Sequence, residues 1–172
     1  MTILPIIKHA NEILRVTCEP IAAVTDQVRA FMDNMLDTMY DAPGIGLAAP
    51  QVGDMRRIVV LDCIRDAEED EKQPMYFANP EITWVSEELA EYEEGCLSIP
   101  GIYENVTRPA ECKVSFLNYD GDLAEMHCAG LLATCIQHEV DHLNGVLFID
   151  HISRLKRGIA MKKYKKQQAE TM

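Results

Sequence analysis

Residues 131–145 read Leu-Leu-Ala-Thr-Cys-Ile-Gln-His-Glu-Val-Asp-His-Leu-Asn-Gly. Leu132, Ile136, Val140 and Leu143 repeat at helical spacing, and Gly145 stands where a left-handed residue closes a helix. The pattern predicts a helix over 131–144. On it His138 and His142 are four residues apart, so both imidazoles share one face, one turn apart, able to grip a single metal ion. Glu139 lies where it can exchange a proton with water held by that ion. Leu131 and Cys135 extend the histidine face toward the N-terminus as an apolar wall, a natural pocket for an unbranched side chain.

A catalytic site of this kind needs a third protein donor and one open position. Phe148 occupies the place where one class of zinc protease carries a third His. Beyond His142 the only acids are Asp150, too near to return from a second helix, and Glu170, in a polar tail. The donor must come from upstream. Residues 94–100 read Glu-Gly-Cys-Leu-Ser-Ile-Pro, a short apolar run that presents the Cys96 thiol at a strand edge or bend. Residues 43–53 read Pro-Gly-Ile-Gly-Leu-Ala-Ala-Pro-Gln-Val-Gly. This glycine-rich loop lacks the Lys-Ser/Thr ending of a phosphate loop, and Gln51 brings two amide donors suited to an oxyanion.

Together the three segments resemble the peptide deformylases. That family carries a Gly-x-Gly-Leu-Ala-Ala-x-Gln loop, a Glu-Gly-Cys-Leu-Ser strand and a Gln-His-Glu-x-Asp-His helix, in this order. The chain matches all three, and the likeness extends over most of its length. It departs at residues 8–12, where the family commonly has a Pro-Asp-type turn, and at an acidic stretch over 66–72 that reads as a surface insertion.

The resemblance implies an α+β fold: short, mostly antiparallel strands around a central helix carrying the His-Glu-x-x-His motif, with an N-terminal and a C-terminal helix. It also implies hydrolysis of the formyl group of N-formylmethionyl nascent peptides. Cys96, His138 and His142 would hold one divalent ion, Fe2+ natively, with Zn2+, Ni2+ or Co2+ possible in purified protein. Glu139 would be the proton shuttle, with Gln51 and the Leu97 N–H stabilising the oxyanion. The substrate backbone would pair along Gly44, Ile45 and Gly46. Leu131 and Cys135 would receive the methionine, with Ile45, Tyr92, Glu94 and Gly95 near the rim. Asp141 either orients a ligand histidine or pairs with a group such as Arg108.

At 172 residues and net charge −12, the chain reads as one domain over 1–172 and not as a DNA binder. No apolar run is long enough to span a membrane, and no signal-like N-terminus is present, so a bacterial-type cytoplasmic protein is expected, or an organellar one only if a transit sequence has been removed. Cys18, Cys63, Cys112, Cys128 and Cys135 read as small buried or half-buried thiols, and His9, His127 and His151 as ordinary surface or core-edge residues. Thr25 is expected to cap a helix to about residue 40. Strands are expected over 57–63, 75–78, 82–85, 89–93 and 113–119, the last turning at Asp120-Gly121 into a return strand over 126–128. A final helix over 153–167 concentrates Lys and Arg, either as a solvated face or as a weak electrostatic contact with the ribosome. A zinc endopeptidase and a metal-stabilised binding module with a closed fourth position are the alternative classes.

Overall fold

Thr25 opens the first helix as the sequence predicts. In the computed structural model, which describes residues 2–64, 68 and 71–171, its hydroxyl accepts from Val28 N at 3.2 Å and α1 runs Asp26–Asp41. Val28, Met32, Met35, Leu36 and Met39 are buried, so the methionine-rich face is core. The chain continues through β1 (Gly46–Ala48), β2 (Ile58–Leu61), β3 (Met75–Val85), β4 (Leu89–Cys96), β5 (Ile99–Pro109), β6 (Glu111–Leu117) and β7 (Leu123–Ala129), then α2 (Gly130–Leu143) and α3 (Arg154–Glu170).

The strands form an antiparallel sheet in the order β1-β2-β3-β6-β7 and a separate β4-β5 ribbon. The β-branched run in β2 is explained by burial on both faces. Ile58 and Val60 pack in the cluster that holds α1, whereas Val59 and Leu61 pack in the cluster that holds α2. Alternation along the strand supplies both cores. A third cluster joins the ribbon residues Ile99, Ile102 and Val106 to Ala160 and Tyr164, the two buried residues of α3. Thus α2 is covered by the sheet while its histidine face turns toward the ribbon.

Two strand expectations need correction. The segments 75–78 and 82–85 belong to one strand, bent where its register shifts between Ala78 and Glu81. Asn79 sits at that bend with φ 50, and its amide holds Ile21 N and Ile21 O, both at 2.8 Å. Strand β5 has no counterpart among the sequence expectations, because Pro100, Gly101 and Pro109 argue against a strand. Its prolines are tolerated because, among the described residues, β4 is its single partner, in a ribbon with no strand beyond it. With β3 and β5 each 11 residues long, the strands are not uniformly short.

The Asp120-Gly121 turn is as expected: Asn118 Oδ1 accepts from Asp120 N and Asp122 N, both at 3.0 Å. At residues 8–12, Asn11 caps a single 3-10 turn over Glu12–Arg15. Most of the acidic stretch 66–72 lies outside the described residues. Its base is held by Asp62, whose carboxylate accepts from Ile64 N and Gln73 N, both at 3.0 Å. Among the described residues no helix is long and apolar enough to cross a membrane.

Candidate metal centre

Helix α2 ends at Leu143, and Gly145, just past the Asn144 cap, takes a φ of 75° that lets the chain turn away directly after the motif. Its spacing sets the His138 and His142 rings 5.0 Å apart, centroid to centroid. Cys96 reaches them from the last position of β4, where the ribbon turns through Leu97 and Ser98 into β5. Cys96 Sγ lies 3.4 Å from His142 Nε2, and the three donor atoms of Cys96, His138 and His142 all fall within 4.8 Å of one another. One thiol and two imidazoles so disposed fit a borderline divalent ion such as Zn2+ or Fe2+. Both histidines are buried and Cys96 is half-buried.

The orientation of His138 comes from Glu94. Glu94 Oε1 lies 2.9 Å from His138 Nδ1, and its two oxygens accept from Arg108 Nε at 2.7 Å and Nη2 at 3.0 Å. Burial pushes the Glu94 carboxyl up, but the hydrogen bonds from His138 and Arg108 outweigh it and hold it down at about 2. An ionised Glu94 makes Nδ1 the protonated nitrogen and leaves the Nε2 lone pair free to bind a metal ion. The Asp141 side chain hydrogen-bonds neither His138 nor His142. It accepts from Arg108 Nη1 at 2.8 Å and meets His151 Nε2 at 2.8 Å, so the ion-pair reading is the correct one. Glu94 lines the cleft as expected, yet its carboxylate is spent on Arg108 and His138.

Glu139 is 5% exposed, and its Oε1 has no hydrogen-bond partner among the described residues. Burial pushes its carboxyl up to about 7, against the pull of His138. Such a group exchanges protons readily near neutral pH. Gly46 permits its position, since a Cβ there would stand 2.5 Å from Glu139 Oε2. Gln51 sits in a 3-10 turn over Ala49–Val52 and accepts from Ala48 N through Oε1 at 2.9 Å. That bond fixes the amide, so Nε2 points at Cys96 Sγ at 3.5 Å and at Ser98 Oγ at 3.2 Å.

These groups border a cleft of about 820 Å3, also lined by Gly44, Ile45, Gly46, Gly95, Leu97, Leu131 and Cys135. Tyr92 does not line it; its side chain is half-buried beside Gly130. The sequence reading missed Lys8, whose ammonium donates to Leu97 O at 3.2 Å, and Tyr103, an exposed aromatic at the rim. None of the six cysteines is in a disulfide; Cys63 and Cys96 are half-buried, the other four are buried, and the thiols of Cys63 and Cys135 are hydrogen-bonded. His127 pairs with Glu111 at 2.8 Å on the surface, and the half-buried His9 packs edge-on against Tyr164 while its backbone N–H donates to Ser98 O at 2.8 Å.

Arg108 is 5% exposed and neutralises two carboxylates. Arg108→Ala strands the buried Glu94 charge and is expected to lower stability by about 3–5 kcal/mol in urea unfolding. A loss below about 1 kcal/mol would mean that solvent already screens the pair.

Residues 3–158 match the family model described as polypeptide deformylase. The chain is 56% identical to a peptide deformylase of Methylocella silvestris over 167 residues, 96% of this chain and 85% of that protein. It is 55% identical to one of Phenylobacterium zucineum, covering 96% of this chain and 97% of that protein. A crystal structure of peptide deformylase from Ehrlichia chaffeensis in complex with actinonin superposes with a TM-score of 0.89 at 37% identity, covering 97% of this chain and 98% of that one. With the motifs, the fold and these relatives in agreement, the chain belongs to the polypeptide deformylase family.

Proposed function

We propose that residues 1–172 act as one metallohydrolase domain that removes the formyl group from N-formylmethionyl nascent peptides and releases formate. The observation that carries this reading is the Glu139 oxygen, without a partner among the described residues and buried in a cleft beside a thiol and two imidazoles. Cys96, His138 and His142 are the ligands, and Fe2+ is the native ion, with Zn2+, Ni2+ or Co2+ accepted by the same donors. When bound, the ion supplies Lewis-acid chemistry, polarising a carbonyl and lowering the pKa of water.

The chain's own groups do the rest. Gly44, Ile45 and Gly46 pair with the extended substrate backbone, next to Gly95. Leu131 and Cys135 receive the methionine side chain, with Ile45 at the edge of that pocket. Glu139 takes a proton from the water that attacks the formyl carbon. The Gln51 amide and the Leu97 N–H donate to the formyl oxygen as negative charge develops there. Glu139 then returns its proton to the departing amine. Tyr92, outside the cleft lining, has no part in this scheme.

The direct test is formate release from formyl-Met-Ala-Ser by the metal-loaded enzyme. Cleavage of internal peptide bonds without dependence on the formyl group would overturn the reading in favour of an endopeptidase. The bacterial relatives support action in the cytoplasm, where nascent chains carry the formyl group. A weak contact with the ribosome fits the exposed Lys162, Lys163, Lys165 and Lys166 of α3. Neutralising these four is expected to weaken ribosome co-sedimentation and flatten its salt dependence; unchanged binding rules the contact out.

A further inference from the structure

The β4-β5 ribbon leaves its regular ladder beside the metal centre. Pairing runs from Leu89↔Pro109 to Glu94↔Glu104 and resumes at Cys96↔Ile99. Gly95 therefore stands alone against residues 100–103, a wide bulge in which Gly101 takes φ 81. The bulge brings Tyr103 across the Gly95 backbone. A Cβ at residue 95 would meet Tyr103 Cε1 at 2.6 Å and Cδ1 at 2.7 Å. Any larger residue at 95 would force the ring out of this position. Tyr103 is nevertheless 63% exposed and lines the cleft, as do the apolar Ile6, Pro43 and Pro100. A large aromatic ring left open to solvent at a cleft mouth is a ready contact surface.

We propose that Tyr103 is a specificity-determining residue, a platform for an apolar or aromatic side chain at the position just after the formyl-methionine. The inference rests on the deformylase reading above. Gly95 directly precedes Cys96, and an extended peptide advances about 3.3 Å per residue. With the formyl group at Cys96 and the methionine against Leu131 and Cys135, the next residue passes Gly95 and the ring resting on it. Side chains alternate along an extended peptide, so that residue points away from the methionine pocket and toward the mouth.

The test compares kcat/KM for formate release from formyl-Met-Phe-Ser, formyl-Met-Ala-Ser and formyl-Met-Ser-Phe, using the wild type, Tyr103→Phe and Tyr103→Ala. The wild type is expected to favour phenylalanine over alanine at the second position by about 2- to 12-fold, the range that aromatic pairs contribute. Tyr103→Phe keeps that ratio, because the ring remains. Tyr103→Ala brings it to near one, through KM more than kcat, as loss of uniform binding requires. A wild type without preference, a ratio that survives Tyr103→Ala, or a preference confined to the third position overturns the proposal. Absence of formate from all three peptides with the wild type strikes the deformylase reading itself, a different result from equal turnover of all three.

Discussion

Glu139→Ala is expected to lower formate release from formyl-Met-Ala-Ser by about 10²–10⁴-fold, the usual contribution of a positioned general acid-base. The carboxylate is buried between His138 and the Gly46 backbone, where burial pushes it up to about 7. At neutral pH it can therefore both accept a proton and give one back. Alanine removes this exchange without removing any of the three proposed metal donors, so metal content by elemental analysis should stay as in the wild type. Because Glu139 Oε1 has no partner among the described residues, the substitution breaks no hydrogen bond at that atom, and the fold should persist. Full turnover by the metal-loaded variant would mean that the proton moves by another route.

Cys96→Ala should be more damaging still, because it attacks retention of the ion. The change reduces the proposed donor set from three to two. Alterations around the ligands already lower metal affinity by about 10–100-fold, and loss of a ligand itself should exceed that. The expected result is a purified protein with little bound metal, whose turnover stays near background even after incubation with Zn2+ or Ni2+. Circular dichroism should remain that of the wild type, since Cys96 is half-buried at a strand end and not in the centre of a cluster. A variant that keeps one ion per chain and full activity would remove the thiol from the ligand set.

The helices were readable for a local reason. Thr25 before an apolar stripe and Gly145 after one are signals carried within a few residues, and α1 and α2 begin and end within a residue or two of the expected positions. The hairpin between β6 and β7 was likewise announced by its Asp120-Gly121 turn. Strand β5 was hidden because Pro100, Gly101 and Pro109 speak locally against a strand, whereas its pairing with β4 is a long ladder that no local propensity reports. The division of β3 into two had the same origin. Asn79-Pro80 looks like a break, but the Asn79 amide bridges to Ile21, 58 positions away in the chain, and carries the strand across its bend.

By itself the sequence determined which atoms could do chemistry. Two imidazoles four residues apart share a helix face by geometry alone, and Cys96, Gln51 and Glu139 were identifiable from their immediate neighbours. Only the tertiary structure decided how these groups are held. It gave the orientation of His138 to Glu94 and not to Asp141, confined Asp141 to Arg108 and His151, left Tyr92 outside the cleft and brought Tyr103 to its mouth. The physical reason is separation along the chain. Spacing on one helix is set by backbone geometry that every residue obeys, whereas the meeting of β4, β5 and α2 depends on packing between segments whose contacts leave no periodic trace in the order of residues.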